Sequence, residues 1–73
     1  MVVESSRTNI RCDDGTIKIQ LECFITKTDD LDEITGCAPS SRALNTTNGE
    51  IWVLMDDMLW HKYKSNETRE ATI

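Results

Sequence analysis

The sequence predicts an all-β fold, on three observations. Residues Thr16 to Ile25 place Ile17, Ile19, Leu21, Cys23 and Ile25 at every second position, the period of a half-buried strand. Asp13-Asp14-Gly15 and Asn48-Gly49 are short turn signals of the kind that reverse one strand into the next. Residues 50–64 combine a run of β-formers with an aromatic-polar alternation. The expected architecture is a five-stranded meander, or a small closed barrel of the SH3/OB type, with one helical turn. The alternative is an α+β domain whose C-terminal helix, at about residues 50–64, packs on a sheet.

The elements follow in chain order. Residues 1–7 and 65–73 are polar and aperiodic, so both read as flexible tails around a single compact domain at 8–64. Thr8 to Cys12 is the first strand. It turns at Asp13-Asp14-Gly15, where glycine closes a tight loop, into the alternating strand Thr16 to Ile25. Ile19 and Leu21, at mid-run, are the expected centre of the core. Asp30 and Glu33 then have capping-box spacing, with Gly36 as a stop, which predicts one helical turn. Cys37 to Ser41 holds the only proline, Pro39, and reads as loop. Asn48-Gly49 joins Arg42–Thr47 to Glu50–Met55 as a hairpin.

Residues 50–64 fit two templates. As a helix, Ile51, Leu54, Met55, Met58 and Leu59 form one stripe, with Thr47 and Glu50 as a capping box. As strands, Ile51 to Met55 is a buried run, Asp56-Asp57 a turn, and Leu59 to Lys64 an alternating edge. Ile51-Trp52-Val53 is a poor helix start and Asn-Gly favours a hairpin, so the strand reading leads.

The 73 residues allow one domain, and so short a chain buries a thin core. Oligomerisation is a common remedy, which makes a homo-oligomer one expectation. The net charge of −5 disfavours polyanions and anionic membranes. The longest apolar run, Ile51 to Met55, is far short of a membrane span. The N-terminus has neither the basic start nor the apolar stretch of an export signal, and the three cysteines, Cys12, Cys23 and Cys37, are odd in number. A cytoplasmic protein with reduced thiols is the expectation.

No motif with a catalytic, metal-binding or nucleotide-binding mechanism stands out, so neither enzymatic activity nor a cofactor is expected. A calcium loop starting at Asp30 fails, because Ile34 and Thr35 occupy its fifth and sixth positions. The acid pairs Asp13-Asp14, Asp29-Asp30 and Asp56-Asp57 read as turn residues. Three cysteines and His61 are a legal zinc set, but none of the spacings is local. Cys12 and Cys23 read as buried thiols, and Cys37 with His61 lacks a third group to orient a nucleophile. Gly15, Gly36 and Gly49 are isolated at turns, so no phosphate cradle exists.

The one distinctive stretch is Trp60-His61-Lys62-Tyr63-Lys64. On a strand it places Trp60, Lys62 and Lys64 on one face, an arrangement that anchors a protein partner or stacks a base beside phosphates. The leading reading of the stretch is plainer: Trp60 and Trp52 fill a small core and the lysines are ordinary edge-strand charges that discourage aggregation. The expected function is that of a small non-enzymatic protein-binding, adaptor, inhibitor or structural-assembly protein, with Trp60, His61, Lys62, Tyr63 and Lys64 as the contact residues. Viral and mobile elements carry many accessory proteins of this build. Single-stranded nucleic-acid binding is the runner-up and an enzyme comes third.

Overall fold

The computed structural model describes residues 1–11 and 13–72. The described residues form six strands: β1 (Val2–Arg11), β2 (Ile17–Ile25), β3 (Arg42–Asn45), β4 (Ile51–Leu54), β5 (Leu59–Lys62) and β6 (Thr68–Glu70). They make one sheet in sequential order. All neighbours are antiparallel except β2 and β3, which run parallel from Glu22–Arg42 to Ile25–Asn45.

The all-β class is as the sequence predicts, and the finer architecture differs. The sheet is mixed and open rather than a five-stranded antiparallel meander. The reason is the connection from Thr26 to Ser41. It carries the chain back to the start of the sheet, as a parallel pair demands, by way of a 3-10 turn at Thr28–Glu33. That turn lays Leu31 and Ile34, both buried, over one face of the sheet, and the loop after it runs along the flank of β2, where the Ala38 N–H donates to Ile19 O at 2.7 Å. The α+β alternative is overturned, because residues 50–64 form β4 and β5. Asp57 Oδ1 accepts the Leu59 N–H at 3.0 Å in the turn between them.

The pairing also reaches into both segments expected as tails. β1 starts at Val2, opposite Ile25, and β6 pairs Leu59 with Glu70 and His61 with Thr68. Both are edge strands, and neither shows an apolar period, because one flank of an edge meets water and the faces are little covered. Cys12, expected as a buried thiol, lies outside the described residues.

The core comprises Cys23, Ile25, Leu31, Ile34, Ala43, Trp52, Leu54 and Trp60. Its centre is not the middle of β2. Ile19 and Leu21 are half-buried, Ile17 is 64% exposed, and Ile25 is 0% exposed. Coverage decides this: β3 meets β2 only along Glu22–Ile25, so the turn end of the β1–β2 hairpin projects past the rest of the sheet. The molecule is accordingly elongated, 38 × 24 × 19 Å.

Polar groups fasten the crossover. The buried Asp30 carboxylate accepts the N–H groups of Thr26 and Lys27 at 3.0 and 3.2 Å and lies 2.6 Å from the terminal amino group. Asp30 therefore reaches back from the third position of the turn, where the sequence had suggested it as the cap itself. The buried Ser41 hydroxyl donates to Ala38 O and accepts from the Leu21 N–H. The β3–β4 loop closes with the Gly49 N–H on Asn45 O at 2.8 Å. Gly49 has φ +79°, a conformation that only glycine adopts freely.

Candidate functional site

The run Trp60–Lys64 does not form one surface. Trp60 is 0% exposed and packs with Trp52 and Leu54 under the crossover. Burial of its whole ring removes it from any contact surface, because opposite it in β4 stands Leu54, a core residue. Lys62 Nζ is 2.9 Å from Glu50 and 3.6 Å from Glu67. Glu50, half-buried, is held below the usual carboxylate range by this lysine, and Lys62 is raised in turn. His61 Nε2 lies 2.8 Å from Asp57 Oδ2. Tyr63 and Lys64 are exposed, with the ammonium 5.6 Å from the neighbouring ring centroid. The expected pairing of an exposed aromatic ring at Trp60 with a free cation at Lys62 is therefore not what the fold presents.

A different surface emerges from the strand register. Residues directly opposite each other point to the same side of a sheet. Cys23, Ala43 and Trp52 are in register and buried, so the residues next to them point outward. These are Phe24, Leu44 and Ile51, and β1 adds Val3 opposite Phe24. Val3, Phe24 and Ile51 are 45%, 43% and 38% exposed. Four strands thus contribute one apolar row across the uncovered face. Tyr63 lies at its end, its N–H donating to Ile51 O at 2.8 Å.

Beside this row runs a polar one. Arg42 is opposite Glu22 on β2 and Val53 on β4, and its guanidinium donates to the Glu22 carboxylate. Phe24, Leu44, Ile51, Ser5, Glu22 and Arg42 line a half-open hollow of about 240 Å³. Its floor is the sheet backbone and its walls are apolar, with the ion pair along one side. A second hollow, about 310 Å³, opens at the hairpin end among Ile17, Ile19, Cys37 and Met58.

The apolar row is not among the residues that the sequence singles out. Its signal was present in Phe24, an aromatic residue on the polar side of the alternating strand. Leu44 and Ile51 become its neighbours only through the parallel pairing and the β3–β4 hairpin. Chemically the site offers apolar contact, one charged pair and a hydroxyl. Cys23 is buried, with its thiol pushed up by desolvation, while Cys37 is partly exposed; both are free. Among the described residues no helix is long and apolar enough to cross a membrane. No protein-family model matches the chain, and no curated protein or solved structure matches it.

Proposed function

We propose that this protein acts without catalysis, by docking another protein on the open face of its sheet, as an adaptor, inhibitor or assembly unit does. The observation that carries the reading is the cross-strand row Val3–Phe24–Leu44–Ile51 beside the Arg42–Glu22 pair. Water-facing sheet surfaces normally alternate to polar residues on that side. A contiguous apolar strip with an arginine and an aromatic residue at its centre has the composition of an interface core with its polar border. The hollow of about 240 Å³ accommodates one apolar side chain of a partner.

Site-specific photo-crosslinking tests this. A photoreactive residue at Phe24 is expected to trap a discrete partner in cells, and one at Lys18, on the projecting end of the hairpin, is not. Adding Ile51→Ser should abolish the product while leaving the melting temperature within a few degrees, because Ile51 is already exposed. Equal crosslinking from both positions, or a product indifferent to Ile51→Ser, would refute docking on this face.

A further inference from the structure

The sheet has two edges of unequal length. β6 contributes three residues, whereas β1 contributes ten. All seven residues from Val3 to Asn9 are exposed, and among the described residues β1 is paired on one side only. A long edge with unpaired N–H and C=O groups is a template for another strand, and native edges are blunted by short length, proline, charged side chains or a bulge; β1 carries charges and a bulge, so only a partner whose charges and bulge match its own fits this edge. β1 has no proline and is the longest strand of the molecule.

β1 also carries a bulge. Glu4 is opposite Cys23 and Ser6 is opposite Glu22, so Ser5 is the extra residue, and its hydroxyl donates to Glu22 O at 3.0 Å. An extra residue inverts the alternation beyond it. Residues three apart in a regular strand lie on opposite faces. Here Glu4 and Arg7 lie on the same face, Glu4 opposite Cys23 and Arg7 opposite Leu21, and within the chain their side chains meet at 2.6 Å. Bulges commonly re-aim a side chain in this way.

The bulge makes the edge self-complementary. Consider two copies of β1 laid antiparallel about a two-fold axis between Ser5 and Ser6. Glu4 of each copy then faces Arg7 of the other, Val3 faces Thr8, and Val2 faces Asn9. Each of these pairs matches in face. Val2, Glu4, Arg7 and Asn9 are opposite Ile25, Cys23, Leu21 and Ile19, and Val3 and Thr8 are opposite Phe24 and Gln20. Without the bulge, Glu4 and Arg7 would emerge on opposite sides and this register would put no charges together. We propose that the protein pairs with a second copy of itself through β1, antiparallel, with Glu4 and Arg7 exchanged between chains in two reciprocal ion pairs. An isologous contact of this kind closes after two subunits. It joins two six-stranded sheets into one of twelve strands and leaves the apolar row of each copy open, so it does not depend on the docking proposed above.

Trans-complementation tests the pairing. In sedimentation analysis up to about 1 mM, the wild-type chain is expected to show a concentration-dependent dimer. Glu4→Arg leaves two cations facing two cations, and Arg7→Glu leaves anions facing anions. Each variant alone should be monomeric, its self-affinity at least about tenfold weaker, with a melting temperature close to that of the wild type at concentrations where the wild type is itself monomeric, because both side chains are exposed. An equimolar mixture of the two restores both cross-chain pairs and should dimerise, which an intrachain Glu4–Arg7 contact does not explain. In the wild type, hydrogen exchange of β1 amides should slow with concentration while that of β6 amides does not. A wild-type chain that stays monomeric throughout, single variants that dimerise like the wild type, or a mixture that remains monomeric would each overturn the proposal.

Discussion

Ile17 and Ile25 occupy equivalent places in the alternating pattern of β2, yet replacing them with alanine should have unequal consequences. Ile25 is 0% exposed, and its side chain lies among Cys23, Leu31 and Leu54 in the core cluster. Ile25→Ala removes three carbon groups at about 0.8 kcal/mol each, or about 2.4 kcal/mol of transfer free energy. The residual cavity brings the expected loss to about 2–5 kcal/mol. Ile17 is 64% exposed, so the same truncation loses about 0.9 kcal/mol at most. The difference between the two, about 1–4 kcal/mol, reports burial. A domain of this length holds about 4–11 kcal/mol in total. Urea unfolding followed by the buried Trp52 and Trp60 measures the difference directly. With a slope near 1 kcal/mol/M, the midpoint of Ile25→Ala should fall about 1 M or more below that of Ile17→Ala. Equal midpoints would refute the assignment of the core to the β3-paired end of β2.

Other expectations concern charge and thiols. The Asp30 carboxyl is held well below the usual carboxylate range by the terminal amino group and by the Thr26 and Lys27 N–H groups, against an opposing desolvation cost. A folded-state pKa below the unfolded value of about 3.9 gives stability that is present above about pH 4 and lost as pH falls further. Asp30→Asn should therefore be less stable at neutral pH and lose less on acidification from about pH 5 to about pH 2, as read by thermal unfolding. A variant that tracks the wild type at every pH would show that Asp30 does not fasten the crossover. Arg69 bridges Asp29 and Asp32 at 2.9 and 2.8 Å, tying β6 to the 3-10 turn. Arg69→Ala should cost about 1 kcal/mol or less, and molar salt should shrink the difference, because the pairs face water. In the native protein at about pH 8, iodoacetamide should label Cys37 before Cys23, since burial raises the Cys23 thiol and shields it. Peptide mass mapping reads each site separately, and faster labelling of Cys23 would place it outside the core.

The sequence by itself determined the β class, the two glycine turns, a helical turn after β2 and the strand pair at 50–64. All of these rest on local chemistry: side-chain alternation, glycine's access to positive φ, and the β-preference of Ile51-Trp52-Val53. Only the tertiary structure decided that β2 and β3 run parallel, because the partner of a strand across a long crossover is chosen by what that crossover covers. It also decided that Trp60 is core and that Lys62 is bound to Glu50, since both depend on neighbours from other strands. The apolar row was half legible. Phe24 broke the alternation, but nothing local says that Val3, Leu44 and Ile51 come beside it. The bulge at Ser5, and with it the shared face of Glu4 and Arg7, has no local signature either, because an extra residue exists only relative to the strand opposite.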